Sequence, residues 1–169
     1  MCNYENSAIA TVGESEVVNI WRYKDNQITK SRTYRGHTAV VNSVDFCIGK
    51  DFICSGSDDG KCLVFKVGNE EPIKKLVFSE HEGTPDLQVK GCKFAKFSTI
   101  LYTVHSNPGG ATFIVQWLVD NDFQPISNHK IHDAPINSIS MTREGLTLIL
   151  STVDGWIKCI NTRAMKIEA

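Results

Sequence analysis

Residues 35–66 read R-G-H-T-A-V-V-N-S-V-D-F, then C-I-G-K-D, then F-I-C-S-G-S-D-D-G-K-C-L-V-F-K. The first run alternates apolar or small side chains with polar ones, which is typical of a strand buried on one face. The last run holds two more strand patterns around Asp59 and Gly60, a pair that favours a tight turn between antiparallel strands. The stretch therefore predicts three consecutive strands of one antiparallel sheet.

Two strands of this stretch recur elsewhere in the chain. The first strand has three copies that agree in character at six positions: V-N-S-V-D-F at 41–46, V-K-G-C-K-F at 89–94 and I-N-S-I-S-M at 136–141. The third strand has four copies: S-E-V-V-N-I-W at 15–21, D-G-K-C-L-V-F at 59–65, A-T-F-I-V-Q-W at 111–117 and D-G-W-I-K-C-I at 154–160. Repeats of about 40–50 residues with short strands are typical of propeller blades.

The repeats divide the chain into blade pieces, which we predict at 8–33, 37–79, 87–130 and 132–169. Together they make about three and a half four-stranded blades. No helical periodicity competes with the strand pattern. We therefore predict an all-β fold, a partial β-propeller that is either a fragment or one segment completed by further blades or by another chain. A closed ring of four blades is the alternative.

The composition argues against several functional classes. Of the 169 residues, 41% are hydrophobic and 22% are charged, which is normal for a globular domain with a core. A formal net charge of -1 gives no basic patch for nucleic acid or an anionic membrane. The longest apolar run, at 62–65, is too short to span a bilayer. We expect protein partners, no nucleic acid, no membrane segment in this chain and a cytoplasmic location.

The cysteines form no C-x-x-C pair, and several occupy strand positions that suit a small apolar side chain. They are Cys2, Cys47, Cys54, Cys62, Cys92 and Cys159. We expect free core thiols rather than a disulfide framework or a metal site. The sequence also has no N-x-S/T sequon, which agrees with a reducing, cytosolic environment.

Four residues of the opening stretch match a structural motif. His37, Ser55, Asp59 and Phe65 occupy positions at which many WD-repeat blades carry a buried His–Ser/Thr–Asp–Trp hydrogen-bond chain. The side chain of Phe65 has no N–H group, so this hydrogen-bond chain lacks its last donor. We interpret the four residues as a structural blade motif rather than a catalytic triad, and we predict a WD-repeat propeller that is not an enzyme.

Other candidate sites are weaker. His129 and His132 are three residues apart, but we predict that they straddle a connection between blades, with no zinc ligand set beside them. The turn N-P-G-G at 107–110 is followed by no helix that could form a phosphate site. No catalytic, cofactor-binding or metal-binding residue is predicted.

Three residues are candidates for an interface. Trp156 directly follows an Asp-Gly turn, where a blade usually carries a small or polar side chain. This indole is predicted either to cover a neighbouring blade or to anchor a partner. Arg35 and Lys61 are predicted near the same rim of the opening blade, in contact with solvent.

Several segments in the second half carry a resemblance to a known family. They are Q-V-K-G-C-K-F-A at 88–95, I-L-Y-T-V at 100–104, A-T-F-I-V-Q-W at 111–117, the pair Pro125 and Ile126, and the run from 132 to 166 that contains G-L-T-L-I-L-S-T-V-D-G-W-I. With them, residues 37–166 resemble the later blades of the Sec-twelve and prolactin regulatory element-binding protein family. Its members are endoplasmic-reticulum guanine nucleotide exchange factors for the Sar GTPase.

This resemblance implies a propeller of seven blades on the cytosolic face of the endoplasmic reticulum, which activates Sar for COPII vesicle budding. Such a factor binds the nucleotide-free GTPase preferentially and makes no covalent bond. The family's glycine-rich exchange loop, which binds a potassium ion, has no counterpart here, and Gly13-Glu14-Ser15 is not that loop. We therefore expect no cofactor in this segment and no exchange activity from this chain alone. The alternative is a generic WD-repeat interaction scaffold.

Overall fold

The computed structural model describes residues 8–47, 49–82, 86–96, 99–107 and 110–168. Cys2, Pro108 and Gly109 therefore lie outside the described residues. The described residues form antiparallel sheets in which consecutive strands are neighbours, with one 3-10 turn at Val119–Asn121. This arrangement confirms the predicted all-β fold of a partial β-propeller. Within the same ranges, no helix is both long and apolar enough to cross a membrane.

Four sheets follow one another along the chain. The first contains β1 (Ala8–Thr11), β2 (Val18–Lys24) and β3 (Gln27–Tyr34). The second contains β4 (Val41–Phe46), β5 (Phe52–Ser57), β6 (Lys61–Lys66) and β7 (Pro72–Val77). The third contains β8 (Gln88–Phe94), β9 (Ile100–Ser106), β10 (Thr112–Leu118) and β11 (Gln124–His132). The fourth contains β12 (Ile136–Met141), β13 (Thr147–Thr152), β14 (Ile157–Asn161) and β15 (Lys166–Ile167).

Neighbouring sheets pack face to face, and each neighbouring pair encloses its own hydrophobic core. Residues 62–65 of β6 are all apolar because both faces of the strand are covered. Leu63 and Phe65 face the first sheet, whereas Cys62 and Val64 face the third. A strand covered on both faces gains from burying every side chain. The third and fourth sheets enclose another core around Leu148, Leu150 and other buried residues.

Two glycines allow the first strand of the following sheet to come close. A Cβ atom at Gly56 would lie 2.5 Å from Val89 Cγ1, and a Cβ atom at Gly91 would lie 2.4 Å from Ile139 Cγ2. Neither space admits even a methyl group without movement of the neighbour. The packing of the second sheet on the third, and of the third on the fourth, therefore depends on these two residues.

Three cysteines lie in the core between the second and third sheets. Cys54, Cys62 and Cys92 are fully buried free thiols. The backbone N–H of Cys92 also donates a hydrogen bond to Ser43 Oγ at 3.2 Å. These side chains act as small apolar groups that fill the space between the sheets.

A buried carboxyl joins the same two sheets. Asp45 of β4 is 7% exposed, and its Oδ2 accepts a hydrogen bond from the backbone N–H of Phe94 at 2.8 Å. Lys93 Nζ lies 3.5 Å from Oδ1. Burial raises the pKa of Asp45 to about 6, although the Lys93 charge acts in the opposite direction. The folded protein therefore binds a proton here more tightly than the unfolded chain does.

The Asp45 carboxyl predicts a pH dependence. Since the pKa in the folded state lies above the unfolded value, the free energy of unfolding should fall as pH rises between about 4 and 6, by about 3 kcal/mol at most. Asp45→Asn removes this titration and keeps an acceptor for Phe94. Urea unfolding from pH 4 to 7 should show the variant gaining stability relative to the wild type as pH rises. A difference that is constant with pH would contradict the assignment.

Candidate functional site

The second sheet carries the motif predicted from the opening stretch. His37 Nδ1 lies 2.9 Å from Asp59 Oδ2, and His37 Nε2 lies 2.8 Å from Ser55 Oγ. Because a carboxylate can only accept, Nδ1 donates to Asp59. Phe65 is fully buried and packs on Tyr34, with ring centroids 5.0 Å apart. The structure thus brings His37, Ser55 and Asp59 into one hydrogen-bond chain, and Phe65 joins an aromatic pair instead.

Asp59 holds the turn between β5 and β6 through its carboxylate. It also accepts hydrogen bonds from the backbone N–H groups of Thr38 at 3.1 Å and Lys61 at 2.9 Å. Burial alone would raise the pKa of Asp59, but the hydrogen bonds from His37, Lys61 and Thr38 outweigh it and lower the pKa below its usual value. Ser55 is fully buried, so its hydroxyl cannot reach a substrate in this conformation. The chemistry available here is the fixing of a turn.

The third sheet contains a second hydrogen-bond chain that the sequence analysis missed. Trp117 Nε1 donates to Thr103 Oγ1 at 2.7 Å, and Thr103 Oγ1 lies 2.7 Å from His105 Nε2. His105 Nδ1 lies 3.3 Å from the carbonyl oxygen of Leu87. The imidazole comes from β9 itself, whereas His37 precedes the first strand of its sheet. Thr103 of β9 pairs with Val115 of β10, just as Ser55 of β5 pairs with Leu63 of β6. Aligning the two sheets by this register would therefore have revealed the second hydrogen-bond chain.

The fully buried His105 also predicts a pH dependence, of opposite sign to that of Asp45. Burial lowers the pKa of His105 to about 4, against the hydrogen bond to the Leu87 carbonyl. Its neutral form stabilises the fold above pH about 6.5, and this contribution of about 3 kcal/mol is lost as pH falls toward 4. In urea unfolding, His105→Gln should lose less stability than the wild type between pH 7 and 4. An equal loss would contradict the prediction.

The fourth sheet has a more exposed version of the motif. His132 Nε2 lies 2.9 Å from Asp154 Oδ2, with the two side chains 18% and 43% exposed. His132 and His129 both lie in β11, so the prediction that they straddle a connection between blades is wrong. Strand β11 continues past the register shifts in its pairing with β10, so that His132 still pairs with Thr112 of β10. Among the described residues, no group of three or more His, Cys, Asp or Glu side chains could hold a metal ion.

The candidate interface residues lie at one edge of the sheets. We call this the turn edge, because it carries the β5–β6 and β13–β14 turns. Trp156 is 60% exposed, with Lys158 Nζ 5.1 Å from its ring centroid. Arg35, directly after β3, is exposed, and Lys61 Nζ lies 3.9 Å from Asp59 Oδ2. The structure therefore places Lys61 beside the motif and leaves the Trp156 indole in contact with solvent.

Comparisons with known proteins agree with this geometry. Residues 28–66 match the family model described as WD domain, G-beta repeat. An 82-residue segment is 28% identical to E3 ubiquitin-protein ligase COP1 of Arabidopsis thaliana, covering 48% of this chain and 11% of that protein. An 83-residue segment is 34% identical to histone acetyltransferase type B subunit 2 of Gibberella zeae, covering 46% of this chain and 19% of that protein.

The chain thus spans less than one fifth of the length of each of these curated relatives. The matched WD repeat includes β4 to β6 and the His37–Ser55–Asp59 chain. The third and fourth sheets repeat the strand order of the second sheet and carry variants of its motif. The repeat match at residues 28–66 and the sheet geometry together are those of a partial β-propeller that contains a WD repeat.

Proposed function

We propose that this chain is a protein-interaction module that binds its partner through the turn edge. The observation that carries the proposal is the presentation of Trp156. Its backbone N–H donates to Thr152 Oγ1 at 2.9 Å, and its carbonyl accepts from the Thr152 N–H at 2.9 Å. The exposed indole therefore sits on a turn that is already ordered, so a partner that buries it loses little conformational entropy. Exposed aromatic anchors of this kind are enriched among binding hot spots.

The proposal is tested by comparing two exposed aromatic residues. Proximity labelling in cells with the wild type should identify partners, and Trp156→Ala should weaken the binding of the purified partner by about tenfold or more. Tyr23→Ala is the matched control, because Tyr23 is 47% exposed but lies in β2 next to the β2–β3 turn at the opposite edge. Equal loss in both variants, or in neither, would remove the turn edge as the binding surface.

A narrower form of the proposal names the partner as a Sar-type GTPase. Its support is the sequence resemblance at residues 88–95, 100–104, 111–117 and 132–166, which lie mostly in the third and fourth sheets and include Trp117 and Trp156. Neither relative named above is an exchange factor by its name. Under this hypothesis the whole protein works on the cytosolic face of the endoplasmic reticulum, and a potassium ion belongs to the exchange loop, which has no counterpart in this sequence.

The narrower hypothesis predicts binding without catalysis of exchange. This chain should bind a purified Sar-type GTPase, and the binding should weaken in Trp156→Ala. It should not accelerate GDP release, whereas a complete propeller that includes the exchange loop should do so. If the complete propeller at micromolar concentration leaves the rate unchanged, the exchange hypothesis fails and the general WD-repeat scaffold remains.

A further inference from the structure

The outer faces of the first and fourth sheets are not covered by the described part of the chain. Alternate residues of a strand point to opposite faces of its sheet. On the fourth sheet, the face away from the third carries Ile149, Ile157 and Cys159, which belong to none of the cores formed by the described residues. On the first sheet, Ile9 and Trp21 pair with each other on the face away from the second. The row of four sheets therefore presents one uncovered face at each side.

The uncovered face of the fourth sheet repeats a face that is covered in the second sheet. The register of β13 and β14 matches that of β5 and β6, with the same bulge in the preceding strand pair. It aligns three residues of the uncovered face with three buried residues of the second sheet: Ile149 with Cys54, Ile157 with Cys62, and Cys159 with Val64. In the second sheet these positions are fully buried by the third sheet, whereas Ile157 is 64% exposed. The fourth sheet thus carries a face of the kind that another sheet covers.

The uncovered face of the first sheet carries the matching group. Trp21 occupies the strand position of Phe65 and Trp117, because each of the three directly follows the register shift against the next strand of its sheet. Phe65 and Trp117 are buried against the preceding sheet, and Trp117 shares its core with the three residues of the second sheet named above. Trp21 is only half-buried, and its Nε1 donates to Thr11 Oγ1 at 2.8 Å. Placing Trp21 of one molecule on the fourth sheet of another would therefore repeat the contact that Trp117 makes with the second sheet.

We propose that a second copy of this chain covers both faces, with the fourth sheet of each copy packed on the first sheet of the other. The described part of each chain contributes four sheets, so two copies make a ring of eight, within the roughly four to eight blades of propellers. The same head-to-tail contact then occurs twice, and closure of the ring leaves neither face in water. This contact uses the faces of the sheets, so it does not depend on which partner the turn edge binds.

The area of the two faces suits a stable dimer only when both contacts form. Each face has three or four strands and covers roughly 300 Å² in projection at the usual strand spacing and rise. One contact between two faces therefore buries about 600 Å², which is less than stable interfaces need, whereas two contacts bury about 1,200 Å², the lower end of the stable range. A closed pair gains both contacts at once, but an open row of copies gains only one contact for each added copy. We therefore expect a closed dimer.

Sedimentation equilibrium of the purified chain tests the proposal. Between about 1 and 100 μM, the affinity range of a small interface, a species of twice the chain mass should replace the monomer. Tryptophan fluorescence is the second readout, because dilution to the monomer should expose Trp21 and shift the emission to longer wavelength. Trp21→Phe should remove this shift. A monomer at every concentration, or growth into assemblies larger than a dimer, would overturn the proposal.

Two variants and one control identify the faces that meet. Ile157→Lys should weaken dimerisation by about 100-fold or more, because it leaves an unpaired charge in each contact. Thr11→Lys should do the same from the first sheet, where Thr11 is exposed beside Trp21. Ile126→Lys is the matched control and should leave the mass unchanged, since Ile126 is 52% exposed in β11 of the third sheet and lies on neither face. If Ile157→Lys abolishes the dimer but Thr11→Lys does not, the fourth sheets of the two copies contact each other, and the head-to-tail ring is wrong.

Discussion

Gly91→Ala is expected to lower the free energy of unfolding by about 3 kcal/mol, the upper end of the usual cost of overpacking a core. The added Cβ would lie 2.4 Å from Ile139 Cγ2 and 3.2 Å from Ile139 Cβ. Rotation of Ile139 about χ1 moves its Cγ2 but not its Cβ, and a β-branched side chain is stiff at χ1, so rotation relieves the clash only in part. The third and fourth sheets must move apart, and the core that they share loses contacts. Urea unfolding of the purified chain measures the change.

The neighbour in that contact provides the decisive control. In the double variant Gly91→Ala with Ile139→Ala, the clashing methyl group is gone, so the total loss should be smaller than the sum of the single losses by about 2 kcal/mol. Gly13→Ala is the matched glycine control, because no heavy atom lies within 4 Å of its added Cβ. If the single losses simply add, Gly91 is not needed for the close approach of the sheets.

Asp59→Ala should cost about 3 kcal/mol of stability, because it leaves a buried imidazole and two backbone N–H groups without their acceptor. The side chains of Asp59 and His37 are only 3% and 1% exposed, so water cannot replace the lost carboxylate without opening the turn. Thermal and urea unfolding should both report the loss. Amide hydrogen exchange at Thr38 and Lys61 should rise by a larger factor than exchange in the third sheet.

The fourth sheet supplies the control for this variant. Asp154 accepts hydrogen bonds from His132 and Thr152, but its side chain is 43% exposed, and water can take its place. Asp154→Ala should therefore destabilise the chain less than Asp59→Ala does. Equal losses would show that burial of the carboxylate does not determine the contribution of this motif.

The sequence predicted the parts of the fold that depend on local pattern. The Asp59-Gly60 turn and the repeats of the first and third strands were sufficient to predict antiparallel sheets, because alternation and turn chemistry act between residues close in the chain. The same reasoning placed His37, Ser55 and Asp59 together, since a known spacing joins them. Their hydrogen bonds in the structure follow that spacing.

The features that the sequence analysis missed depend on contacts between distant residues. His105 completes the Trp117–Thr103 chain from within β9, a position that the His37 spacing does not predict. The extent of β11, and hence the place of His132, depends on register shifts against β10.

The separate cores between neighbouring sheets have a consequence for how the chain can vary over evolution. Each core draws its side chains from two adjacent sheets, so a substitution in one core has no direct contact with a core two sheets away. Phe65, Trp117 and Ile160 occupy corresponding strands, yet each is buried in a different core. Selection can therefore act on each blade almost independently, which allows a phenylalanine at this position in one repeat and a tryptophan in the next.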